Sequence, residues 1–91
     1  MYKRQQRRRA RTLSAGLRAV QAAAAGGERD VSRLLAIGRD TVDADQLQYL
    51  EIRAADELTS LTTLDRPARV FAAARYGATR LIDNMAIPDS K

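Results

Sequence analysis

The chain has 91 residues, with 16 Lys and Arg against 11 Asp and Glu, a net charge of +5, and neither Cys nor His. That length supports one domain with one modest core. The missing Cys and His remove disulfides, thiolate nucleophiles, imidazole bases and the commonest soft metal ligands together.

No apolar run approaches the roughly 20 residues that span a bilayer, and no apolar segment with a small-residue cleavage site opens the chain, so a soluble cytoplasmic protein is expected. The basic excess is local. Lys3, Arg4, Arg7, Arg8, Arg9 and Arg11 carry six positive charges with no acid among them, and from position 12 onward ten basic residues face eleven acidic ones. The basicity therefore belongs to one end of one helix.

That helix is predicted from about Gln6 to Ala25, where Leu13, Leu17, Val20 and Ala24 recur on one side. Gly26-Gly27 ends it. Asp30 is the capping carboxylate of a second helix, which runs to about Asp43 with Val31, Leu34, Leu35, Gly38 and Val42 on one face. Gly38 on that face is read as a point of close approach to a neighbour.

The period changes to two at Leu47–Arg53, a strand with Leu50 and Ile52 on one face and Tyr49 and Glu51 on the other. The Thr-rich stretch between Ala54 and Pro67 has no clear period. It is read as a loop with one helical turn that drops Leu58, Leu61 and Leu64 onto the core. Ala68–Tyr76 and Thr79–Ile87 flank Gly77-Ala78, whose leading glycine suits a two-residue type II′ turn and hence an antiparallel hairpin. Ala72, Ala73 and Ala74 favour helix by propensity, but Val70, Phe71, Tyr76 and the turn favour strand. The expected class is α+β, two N-terminal helices packed on a small three-stranded antiparallel sheet.

The segment Tyr49-Leu50-Glu51-Ile52-Arg53, followed by Ala68-Arg69-Val70-Phe71-Ala72-Ala73-Ala74-Arg75-Tyr76-Gly77-Ala78-Thr79-Arg80-Leu81-Ile82-Asp83-Asn84, resembles the C-terminal end of pantothenate synthetases, the pantoate-beta-alanine ligases. The sharpest part is Thr79 to Asn84. The resemblance covers about Gln6 to Ile87 and implies a lid domain over residues 6–87, with Met1–Gln5 as a leader outside the family pattern and Pro88–Lys91 as a polar tail.

It further implies an enzyme of pantothenate and coenzyme A biosynthesis. That enzyme would use ATP and magnesium to form a pantoyl-adenylate, which the amine of beta-alanine then attacks. The family's nucleotide fold, its His-rich ATP motif, its pantoate-binding glutamines and its phosphate-binding loop belong to a larger N-terminal nucleotide-binding domain, through which the family dimerises. None of these motifs has a counterpart here, so the resemblance assigns no catalytic, cofactor-binding or metal-binding residue, and the chain alone is expected to be inactive.

Several other residues invite functional readings. Arg80, Asp83 and Asn84 could point at substrate. The structural alternative pairs Arg80 with a carboxylate across the hairpin and uses Asp83 and Asn84 for backbone or interdomain hydrogen bonds. Arg7, Arg8, Arg9 and Arg11 could hold phosphate or nucleic acid, or carboxylate partners, since their charge opposes the helix dipole. Tyr49, Phe71 and Tyr76 are read as packing rather than base stacking, and Asp40, Asp43 and Asp45 as at most a loose cation site. Two rival functions follow: a basic nucleic-acid-binding module built on the first helix, and an interaction protein that docks through Leu13, Leu17 and Val20.

Overall fold

A computed structural model gives the backbone of residues 4–87 and the side chains from Arg8 to Ile87. The elements are α1 (Arg4–Ala25), α2 (Val31–Thr41), β1 (Gln46–Ala54), β2 (Ala68–Tyr76) and β3 (Thr79–Ile87). The strands form one antiparallel sheet in the order β1-β2-β3, and both helices lie on one side of it. This is the α+β arrangement expected.

The apolar stripe of α1 makes the core. Leu13, Leu17, Val20 and Ala24 are buried together with Val31 and Leu34 of α2 and the inward residues Leu50, Ile52, Val70, Ala72, Ala74, Tyr76 and Ile87. α1 lies over β2 and β3 while α2 covers β1. The alanines of β2 are explained by this layering, because small side chains at Ala72 and Ala74 let α1 come close to the central strand, and burial overrides their helical propensity.

α1 stops in a Schellman arrangement: Gly27 adopts φ 111, its N–H donates to the Ala24 carbonyl, and the Glu28 N–H reaches back to the Ala23 carbonyl. Asp30 caps α2 by accepting from the Ser32 N–H at 3.0 Å. The helix ends at Thr41 rather than near Asp43, because the Asp43 N–H is drawn to Thr12 Oγ1 at 2.7 Å on α1. In the hairpin Gly77 has φ 62 and Tyr76 pairs with Thr79, as a II′ turn requires.

Gly38 does mark a close approach. A Cβ there would stand 2.9 Å from Leu50 Cδ2 and 3.1 Å from Val20 Cγ2, and one on Gly16 of α1 would stand 2.7 Å from Val42 Cγ2. The two glycines bring the helices together.

The segment between β1 and β2 departs from expectation in one respect. It contains one helical turn, closed by the Leu58 N–H on the Ala54 carbonyl, and Leu64 is buried with Leu61 packed beside it. Leu58, however, is 51% exposed and has φ 58. It faces away from the core because the Ala54 N–H bonds the Thr59 carbonyl, which folds the chain back over the sheet edge and leaves Leu58 at the tip of the turn.

Candidate functional site

Registry divides the sheet into two faces. On the helix side Leu50 pairs with Ala72, Ile52 with Val70, and Ile87 with Ala68. On the other side Tyr49 pairs with Ala73, Glu51 with Phe71, Arg53 with Arg69, Ile82 with Ala73, Asn84 with Phe71, and Arg75 with Arg80. No helix among the described residues covers this outer face.

Its centre is apolar. Tyr49, Phe71 and Leu58, with Glu51 and Arg53, line a shallow depression of about 250 Å³, and Ile82 nearby is 61% exposed. Leu58 and Ile82 are the large apolar side chains that stand most open to solvent among the described residues. The ends of the face are cationic: Arg53 and Arg69 stand directly opposite each other at one end, and Arg75 and Arg80 at the other.

Neutral or internal partners hold Arg53, Arg69 and Arg80 in place. Arg53 reaches Glu51 at 3.0 Å and the Leu58 carbonyl at 3.0 Å, and Arg69 grips the Asn84 side-chain oxygen at 2.6 and 3.2 Å. Arg80 donates to Gln48, the extra residue of a bulge in β1, across the whole width of β2. The carboxylate expected for Arg80 is thus replaced by an amide oxygen, because the β1 bulge puts Gln48 within its reach and no acid. Asn84 serves as expected for a structural residue, and Asp83 accepts the Asn84 N–H at 2.8 Å. Asp83 occupies a helix-side position opposite Ala72, so the three residues do not converge.

A second polar cluster ties the start of α1 to the hairpin. Arg9 bonds Asp45 at 2.8 Å and Asp43 at 3.2 Å, and the Asp45 carboxylate also accepts the Gly77 N–H. That backbone bond first, and Arg9 second, hold the Asp45 carboxyl below the ordinary aspartate range. Arg9 has therefore found the carboxylate partners that its place near a helix start called for. Arg8 and Arg11 are exposed, while Lys3 and the side chains of Arg4 and Arg7 lie outside the described residues. Asp43 and Asp45 serve Arg9, and no group of three acids gathers around them among the described residues.

Tyr76 is core, while Tyr49 and Phe71 form part of the outer face. The stripe Leu13, Leu17 and Val20 is consumed by the domain's own sheet and has no surface left for a partner, which corrects the interaction reading based on it. Sequence patterning missed the outer face as a unit, since its paired arginines come from three strands and meet only through registry. A second depression of about 420 Å³ lies at the head of α2, lined by Asp30, Val31, Ser32, Leu35, Leu61 and Thr62. No helix among the described residues is long and apolar enough to cross a membrane.

A family profile described as pantoate-beta-alanine ligase matches residues 1–86. The chain belongs to the pantoate-beta-alanine ligase family. The pantothenate synthetase of Rubrobacter xylanophilus is 46% identical over 92% of this chain and 30% of its own length. That of Deinococcus radiodurans is 46% identical over 89% of the chain and 30% of its own length. The crystal structure of pantothenate synthetase from Thermus thermophilus superposes with a TM-score of 0.85 at 28% identity, covering 96% of this chain and 32% of that one. The chain thus spans about a third of the length of its relatives. The profile match begins within the five residues read as a leader, of which Arg4 and Gln5 already belong to α1.

Proposed function

We propose that this chain is the C-terminal lid domain of a pantoate-beta-alanine ligase. The observation that carries the reading is the coverage: nearly the whole chain aligns with pantothenate synthetases, yet it accounts for only 30% of the Rubrobacter protein. The other part of such an enzyme supplies the nucleotide-binding domain, and the ligase works in the cytoplasm as a dimer formed through that domain.

The reaction activates pantoate with ATP. A pantoate carboxylate oxygen attacks the α-phosphorus, pyrophosphate leaves, and a pantoyl-adenylate results. The amine of beta-alanine then attacks the acyl carbon and AMP departs, leaving the amide of pantothenate, a precursor of coenzyme A. An acyl-adenylate is open to hydrolysis, so a domain that closes over it and excludes water favours the amine.

This division of labour suits the residues present. The chain has no His or Cys, and its described acids are held by arginines, backbone N–H groups or solvent-facing positions. In this reading magnesium and ATP are held by the remainder of the enzyme. Of the basic helix start, Arg9 is bound to Asp43 and Asp45, and this reading assigns no role to the exposed Arg8 and Arg11.

The test mixes the purified chain with a separately expressed N-terminal part of a relative, together with ATP, magnesium, pantoate and beta-alanine. Pantothenate formation above that part alone is expected. No increase, with the chain folded by circular dichroism, would remove the lid reading, as would turnover by the 91-residue chain on its own.

A further inference from the structure

We infer that Arg9 is a positioning residue of the ligase: by clasping the start of α1 to Asp43 and Asp45 it fixes the direction in which the chain enters from the catalytic part, and so how the domain closes over the adenylate. This rests on the lid reading above, in which the catalytic part precedes α1.

The start of α1 has little else to hold it. Between Arg4 and Arg9 there is no apolar residue, and the first turn has no acid. The buried stripe begins only at Leu13, with Ala10 packed at its margin. Positive charge in the opening turns opposes the helix dipole, and the leading N–H groups of any helix have no acceptor within it. By local rules alone this end frays back toward Leu13. Yet the helix begins at Arg4.

Two described side chains of that stretch bond outside the helix. Arg9 meets Asp45 at 2.8 Å and Asp43 at 3.2 Å, and the Thr12 hydroxyl accepts the Asp43 N–H at 2.7 Å. Asp45 is itself fixed to the sheet, since its N–H donates to the Arg75 carbonyl at 3.0 Å and its carboxylate accepts the Gly77 N–H. Arg9 therefore joins the helix start to the link between α2 and β1 and, through Asp45, to the turn between β2 and β3. One guanidinium held by two carboxylates on an anchored segment fixes a geometry that a lone surface ion pair does not.

The consequence for closure follows from reach. A residue in a helix advances 1.5 Å, whereas one released from it spans up to about 3.3 Å. Fraying back to Thr12 would turn the first turns of α1 into flexible tether. A longer, looser tether lowers the effective concentration of the lid at the site and lets it settle in more than one orientation. Water then reaches the adenylate ahead of the amine. Arg9 touches no reacting atom in this scheme and acts through the placement of the domain.

For the test, the matching segment of the Rubrobacter enzyme is replaced by this chain, either native or carrying Arg9→Gln, Arg9→Lys or Asp30→Ala. AMP and pantothenate are then measured well below the Tm of each fusion. Arg9→Gln should raise the ratio of AMP to pantothenate by about twofold or more. Arg9→Lys should bring the ratio back toward that of the native fusion, because an ammonium still reaches a carboxylate. Asp30→Ala removes the cap of α2 and lowers Tm at least as much, but should leave the ratio unchanged because the clasp is intact. In the isolated chain, amide hydrogen exchange over residues 9–13 should quicken by about threefold or more in Arg9→Gln and not in Asp30→Ala. An unchanged ratio in Arg9→Gln, or an equal rise in Asp30→Ala, overturns the inference and leaves the lid reading in place. A native fusion that already releases excess AMP removes the lid reading and the inference with it.

Discussion

Gly16→Ala is the substitution for which propensity and packing disagree most sharply. In a solvent-facing helix the change would stabilise by about 1 kcal/mol, because alanine is the better helix former. Here the added methyl carbon would stand 2.7 Å from Val42 Cγ2 and 3.1 Å from the Gly38 carbonyl oxygen. Carbon atoms prefer about 3.5–4.0 Å, so the overlap with valine approaches roughly 1 Å. Valine is stiff at χ1, and the carbonyl belongs to the α2 backbone, so the helices themselves must part. Overpacking of this kind costs about 1–3 kcal/mol. The net expectation is a loss of about 1 kcal/mol, or about 4–8 °C in Tm for a domain of this size. Gly38→Ala meets the flexible end of Leu50 at 2.9 Å and the stiffer Val20 only at 3.1 Å, so its cost should be smaller than that of Gly16→Ala. Urea and thermal unfolding of both variants measure the difference. Adding Val42→Ala to Gly16→Ala should cost less than Val42→Ala alone, a coupling that a double-mutant cycle reads directly. A Gly16→Ala protein more stable than the native chain, with no coupling to Val42, would refute the close helix approach.

Leu17→Ala removes a fully buried side chain of α1 and should destabilise by about 2–5 kcal/mol in chemical denaturation, a large part of the total for a small domain. Leu58→Gly should hold or raise Tm by easing the left-handed strain, offset in part by glycine's freedom in the unfolded chain, whereas Leu58→Val should lower stability by about 1 kcal/mol. Asp45 is held below its ordinary value near 3.8, so its contribution is present above that pH and is lost as pH falls through the lowered folded value. Asp45→Asn should therefore lower Tm at neutral pH, with the gap to the native chain closing as thermal melts are taken below pH 3.8.

The helices and strands were legible because each has a local period. Leu13, Leu17, Val20 and Ala24 announce the buried stripe of α1, Leu50 and Ile52 the inward side of β1, and Gly77-Ala78 the hairpin. What the sequence concealed depends on contacts between distant residues. The helical turn before Leu58 was foreseeable, but its left-handed geometry comes from backbone bonds joining Ala54 to Thr59 and Ala55 to Pro67, and nothing in Leu-Thr-Ser suggests it. Gln48 becomes the partner of Arg80 only through the β1 bulge. The paired arginines of the outer face were equally hidden, since the facing of Arg53 and Arg69 is set by how a long loop returns the chain to the sheet. The family signature lay in the best-patterned part, Thr79 to Asn84, while the outer face of the sheet is assembled by registry.

The most direct test of the lid role is the ratio of AMP released to pantothenate formed. It is measured for the Rubrobacter enzyme truncated at the matching segment and for the same enzyme with this chain in that place. A water-excluding lid requires the truncated enzyme to release AMP in excess of pantothenate as adenylate is lost to hydrolysis, and requires this chain to return the ratio to one AMP per amide bond. A fusion that stays uncoupled, or a truncated enzyme already fully coupled, would contradict it.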